Sequence, residues 1–174
     1  MKKTFTLLMI LIASIATSNA QKKDASYGFA KGDKLLNLGI GVNSYYSGGI
    51  PLGASFEIGI MDFLSVGGSL DYLSKTYYNT KFTSLYIAAR GSYHFNELLK
   101  LNTNKADLYA GATVGFRSFN WADDYYTLGG RYGNGAYVGA FAGAKWYFTN
   151  AFGAFAEVGA IGSTNAKIGI CFKF

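Results

Sequence analysis

A two-residue alternation constrains this chain more than any other feature. It starts at Leu36 and runs, broken only by joins, to Phe174. A strand sends successive side chains to opposite faces, so alternation of this kind makes one apolar face and one polar or small face. In the first stretch Leu36, Leu38, Ile40 and Val42 alternate with Asn37, Gly39, Gly41 and Asn43. In the second, Leu52, Ala54, Phe56, Ile58 and Ile60 alternate with Gly53, Ser55, Glu57 and Gly59. In the third, Leu64, Val66, Gly68, Leu70 and Tyr72 alternate with Ser65, Gly67, Ser69 and Asp71. The pattern repeats over 84–95, 107–117, 136–148 and 152–160, and an eighth stretch puts Ile168, Ile170, Phe172 and Phe174 on one face. Every charge inside these stretches falls on the polar face: Glu57, Asp71, Arg90, Asp107, Arg117, Lys145, Glu157, Lys167 and Lys173.

An even number of alternating segments of this length is the signature of a transmembrane barrel. The expectation is an all-β fold, an eight-stranded antiparallel up-and-down transmembrane β-barrel over 35–174, following an N-terminal signal peptide. The joins 43–51, 74–82, 118–134 and 162–165 fall on one side, expected to be extracellular. The joins 61–63, 96–106 and 149–151 fall on the other, expected to be periplasmic. The join 96–106 is longer than its neighbours, and nothing in the sequence accounts for it. A soluble secreted barrel would use the same alternation with the apolar face inward. Two features favour the inverted arrangement. The polar face is rich in Gly and Ser, which suits the narrow interior of eight strands. On the apolar face Tyr93, Phe95, Trp146, Phe148, Phe152, Phe172 and Phe174 gather at one end, as a girdle at a membrane interface does.

The last stretch carries a resemblance. Lys167, Gly169, Phe172 and Phe174 stand in an order (polar, Gly, hydrophobic, aromatic) that resembles the insertion signal of Gram-negative outer-membrane barrels. With Arg90-Gly-Ser-Tyr-His-Phe95 and Asp107-Leu-Tyr-Ala-Gly111, the chain resembles the small outer-membrane proteins of the OmpA/OmpX type, the bacterial outer membrane protein β-barrel domain family. The resemblance implies a multi-pass protein of the outer membrane with both termini in the periplasm. It implies contact with outer-membrane lipid and lipopolysaccharide, and with the barrel-assembly machinery that reads the last strand. It does not extend to a peptidoglycan-binding domain.

Residues 1–20 read as a signal peptide: Lys2 and Lys3, an apolar run from Leu7 to Ala16, then Ser18-Asn19-Ala20 at the cleavage position. Residues 21–34 are polar and aperiodic and read as a periplasmic lead-in. The formal charge is +6, and setting aside Lys2 and Lys3 leaves +4, scattered rather than striped. That excludes nucleic acid as an expected partner. The single Cys excludes an internal disulfide.

Candidate chemistry is sparse. His94 is the one histidine, with Ser92 two residues away. General-base work needs a positioned partner and substrate access, so His94 reads as a structural lumen residue. No catalytic, cofactor-binding or metal site is expected, and Cys171 reads as a small lumen filler. Glu57, Asp71, Arg90, Arg117, Lys145 and Glu157 form a candidate lumen charge cluster, in which Arg90 pairs with Glu57 or Glu157. An ion inside a membrane must be paired or wet. With Tyr86, Tyr109, Tyr137, Phe141, Tyr147 and Phe155 pointing inward, the cluster reads as a plug; a gated ion path is the alternative. Trp121, Tyr125, Tyr126 and Tyr132 form a candidate surface-recognition loop, with Tyr45, Tyr46, Tyr77 and Tyr78 beside it. Such residues suit recognition of an extracellular ligand and equally an interfacial belt against lipopolysaccharide. The expected function is a structural or surface-interaction role. A narrow channel for small solutes is the alternative, and a lipid-modifying enzyme stands third.

Overall fold

The structure, a computed structural model, describes residues 28–46, 48–77, 80–121 and 133–174. The expected signal peptide and residues 21–27 of the lead-in lie outside the described residues. Eight strands follow in order: β1 Lys34–Gly41, β2 Leu52–Met61, β3 Leu64–Tyr77, β4 Thr80–His94, β5 Ala106–Trp121, β6 Gly135–Tyr147, β7 Phe152–Ile161 and β8 Thr164–Lys173. Each pairs antiparallel with the next, and β1 pairs with β8, so the sheet closes into a barrel. Closure leaves no unpaired edge along the shared length, which a barrel in lipid requires.

The barrel is inverted. Val138 is 78% exposed and Phe116 72% exposed, while Glu57, Asp107 and Lys145 are at most 2% exposed. Leu38, Ile58, Val66, Leu70, Ile87, Val114 and Ile170 join the apolar outer surface. A surface of this kind is the lipid face of a transmembrane barrel, and the polar parity lines the lumen. The expected phase holds in all eight strands. Around the turn end, Phe63, Tyr93 and Phe95 form one set of touching rings, and Phe148, Phe152, Phe172 and Phe174 another.

The strand ends differ from expectation. β3 and β4 continue to Tyr77 and Thr80, so the expected loop over 74–82 is mostly strand. β5 continues to Trp121, through the first residues of the expected loop 118–134. The first strand begins at Lys34 and stops at Gly41 rather than Asn43. The longer strands bring Lys34 and Lys81 onto the outward parity at opposite ends. Long cationic side chains there can reach headgroup level from an apolar wall.

Glycine on the inward parity makes room for large lumen side chains. Across the wall Glu57 faces Gly67, and Gly67 faces Arg90. Tyr109 faces Gly143, and Gly143 faces Glu157. A Cβ on Gly143 would stand 2.6 Å from the Tyr109 ring, and one on Gly67 would stand 1.8 Å from the Phe56 carbonyl oxygen. The second clash is with backbone and has no rotamer to relieve it. Gly67→Ala is therefore expected to lose about 1–3 kcal/mol through overpacking. Gly91→Ala, on the lipid-facing parity, meets nothing nearer than 3.8 Å and is expected to be neutral. Urea unfolding of both refolded variants checks this; equal midpoints would contradict it.

Candidate functional site

The lumen charges fall into three groups, the first two linked through Ser65 and Tyr109. The first centres on Arg90. Gly67 has no side chain, so the Arg90 guanidinium lies across β3 and donates from Nε to Glu57 Oε1 at 2.7 Å. Its Nη1 donates to Glu157 Oε2 at 3.2 Å, and Nη2 donates to Glu157 Oε1. The guanidinium plane also covers the Phe141 ring, 3.9 Å from its centroid. Glu57 Oε2 accepts from Ser65 Oγ and Ser92 Oγ, and Glu157 Oε1 from the Tyr109 hydroxyl at 2.8 Å. Each carboxylate thus has a cation and hydroxyl donors, the condition under which a charge tolerates burial.

The second assembly lies nearer the turn end. Asp107 accepts from His94 Nδ1 at 2.7 Å, Asn96 Nδ2 at 3.0 Å and Lys145 Nζ at 3.3 Å. Lys145 Nζ also stands 4.0 Å from the centre of the Tyr109 ring. Asn96, at the start of the long join, holds that join to the wall by accepting the Leu108 backbone N–H at 2.8 Å. Outside the strands, Asp33 packs near this layer. Burial pushes its carboxyl above the usual carboxylate range, with Lys173 pulling the other way.

The third lies at the loop end. Asp71 Oδ1 accepts the backbone N–H of Ser163 at 3.0 Å, and Lys167 Nζ stands 2.8 Å from Oδ2 in an ionic contact off the hydrogen-bonding direction. Gly162 makes this reach possible. Its φ is +62°, and a Cβ there would stand 2.6 Å from the Asp71 Cβ. At and beyond this level sits a largely aromatic cluster of Tyr46, Leu73, Phe82 and Tyr86, packed on by Phe119, Trp121 and Tyr137. The hydroxyls of Tyr46 and Tyr86 are hydrogen-bonded to each other.

The six residues of the expected charge cluster do not form one group. Arg90, Glu57 and Glu157 come together; Lys145 pairs with Asp107 and Asp71 with Lys167. Arg117 joins none of them, its guanidinium lying 5.7 Å from the Phe119 ring centre. Lys167, read as part of the insertion pattern, also serves as a lumen counter-charge. Gly169, Phe172 and Phe174 lie in or beside β8, with Gly169 opposite Gly39 and Phe172 opposite Leu36. Trp121 is on β5 rather than in a loop, half-buried against Phe82 with ring centroids 4.7 Å apart. Tyr125, Tyr126, Tyr132 and Tyr78 lie outside the described residues. Tyr46 is buried in the cluster, whereas Tyr45 is exposed.

Ser65 is the hydroxyl neighbour of His94, at 2.9 Å from Nε2, and Ser92 belongs to Glu57 instead. Ser65, His94 and Asp107 therefore stand in the pairwise order of a nucleophile, base and orienting acid. All three are at most 1% exposed, and the Ser65 hydroxyl is also held by Glu57 at 2.8 Å. A substrate carbonyl has no approach to the Ser65 oxygen in this state. Cys171 points inward and packs with Tyr147 and Phe155. Among the described residues no group of His, Cys, Asp or Glu is placed to hold a metal ion.

No family model matches the chain, and no curated protein matches it either. Solved structures do. The N-terminal β-barrel domain of Pseudomonas aeruginosa OprF aligns over 83% of this chain and 98% of its own, at 19% identity and a TM-score of 0.54. The outer membrane protein OprG from the same organism aligns over 85% of this chain and 99% of its own, at 14% identity and a TM-score of 0.55. At such identities the likeness is one of fold.

Proposed function

From the premise that this chain folds as a small eight-stranded outer-membrane barrel of the OmpA/OmpX type, we propose that it is an integral protein of the bacterial outer membrane. In this reading its lumen is sealed and its work is structural or done at the surface. The apolar outer wall supports the location; the reading places both chain termini and the short turns on the periplasmic side. The observation that carries the sealed lumen is Arg90, 4% exposed, held between Glu57 and Glu157. A hydrated path would solvate these groups separately. Here their polar atoms are used on one another, and the aromatic cluster closes the other end. Eight strands enclose a space that side chains can fill. The reading includes no catalytic step.

One observation favours the second reading, a narrow channel for small solutes. Among the described residues, Asn37 Oδ1 and Ser84 Oγ are buried on the lumen wall with no hydrogen-bond partner. Buried polar atoms of this kind take ordered water. Planar-bilayer recording separates the readings. A sealed barrel is expected to give no reproducible conductance steps at moderate voltage. Regular steps from the purified wild-type protein would overturn it in favour of a channel.

A further inference from the structure

The segment before β1 is built into the barrel mouth. Phe29, 3% exposed, lies flat on the His94 ring, with centroids 3.5 Å apart and planes 7° from parallel. The Gly28 carbonyl accepts Lys173 Nζ at 3.0 Å. The Lys31 N–H donates to Asp62 Oδ1 at 2.9 Å. The Gly32 N–H donates to the Gly59 carbonyl, and the Gly59 N–H to the Asp33 carbonyl, both at 2.8 Å. Asp33 closes a turn on itself, its carboxylate accepting the Ala30 N–H at 3.0 Å. The segment thus runs from β5 and β8 across the turn end to β2 before entering β1.

Two glycines make the seat. A Cβ on Gly28 would stand 2.1 Å from the Ala106 carbonyl oxygen. One on Gly59 would stand 2.7 Å from the Ala30 carbonyl oxygen and 3.0 Å from the Phe29 ring. Gly28 lets the segment press against the Ala106 carbonyl on one side, and Gly59 thins the wall on the other. Yet Gly28–Asp33 is no strand of the barrel. It is held by one stacked ring and a few hydrogen bonds near the mouth, the kind of element that opens locally while the rest stays folded.

We propose that residues 28–33 are a lid on the turn-side mouth, seated by Phe29 on His94, and that lifting it opens the Ser65–His94–Asp107 layer to the periplasm. This rests on the sealed-lumen reading and adds to it a floor that moves. The Arg90 assembly lies above that layer and stays closed when the lid lifts. The lid therefore gates access to that layer rather than to a through-path.

His94 is the only histidine in the chain, so its acylation by diethyl pyrocarbonate, followed by peptide mass, reads the lid directly. The test compares wild type, Phe29→Ala and Gly59→Val, each refolded in lipid and checked for the heat-dependent gel shift of a folded barrel. Phe29→Ala removes the stack; Gly59→Val keeps the Phe29 side chain but crowds its ring and the Ala30 carbonyl, denying the lid its seat. Slow modification of wild type, with both variants faster by roughly tenfold or more, is the expected result for a locally opening element. Equal slow rates in all three would overturn the lid, since the floor would then be sealed without it. Fast modification of wild type would overturn it as well, because Phe29 would not be seated. Conductance is recorded on the same samples. Steps in wild type sink the sealed lumen whatever the histidine does, so the two failures are told apart.

Discussion

Arg90→Ala is expected to lose about 3–5 kcal/mol of stability, the usual cost of removing one partner from a buried ion pair. The substitution leaves Glu57 and Glu157 buried with no guanidinium between them. At a typical urea slope this is a midpoint lower by on the order of 2 M. Arg90→Lys is expected to fall between. Arg90 uses Nε on one carboxylate and both Nη atoms on the other. A single ammonium cannot reproduce that fork. Urea unfolding of the refolded barrel in lipid decides the matter. An unchanged midpoint for Arg90→Ala would mean that water already solvates the lumen carboxylates, and the sealed reading would give way to a channel.

Removal of Phe174 is expected to leave most of the protein unassembled. The Phe174 N–H donates to the Lys34 carbonyl at 2.9 Å, and the Lys34 N–H to the Phe174 carbonyl at 3.1 Å. These two bonds end the β1–β8 ladder that closes the barrel. The Phe174 ring also stacks on Phe172, which touches Phe152, so its loss thins the girdle where closure happens. The lost bonds bare backbone groups at the edge of the membrane, where water satisfies them only in part. If the resemblance of this strand to an insertion signal carries function, recognition fails as well. Membrane fractionation with heat-dependent gel migration measures the outcome. Wild-type amounts of folded, membrane-borne protein after the truncation would contradict it.

The fold was open to reading because it depends on one local rule. A side-chain period of two is a property of the extended backbone, so Leu38, Ile58, Val114 and Ile170 declare their face without reference to any neighbour. The same rule put Glu57, Arg90 and Glu157 on one inner surface, where a low dielectric leaves pairing as the stable arrangement. Strand ends were less legible. Ser74 to Tyr77 and Ser118 to Trp121 continue in strand with weaker contrast between faces, and nothing in their composition separates a projecting strand from a loop. Phe119 and Trp121 fell within the expected join 118–134 for that reason. They turn inward because β5 keeps its phase to its last residue.

By itself the sequence determined the strand count, the phase of each strand, the inverted wall and the inward set of charges, all consequences of periodicity and of the high cost of an ion in lipid. The tertiary structure alone decided who meets whom across the lumen. His94 finds Ser65 on the adjacent strand, not Ser92 two residues along its own. Lys145 finds Asp107, and Arg117 meets no carboxylate among the described residues. Those choices follow from register and from where glycine lets a long side chain lie across the next strand, as Arg90 does over Gly67. Phe29 marks the limit most clearly. It sits in a stretch with no period, so no phase could be read. Its seat exists only where the Gly59 and Ala106 walls come together in the closed barrel.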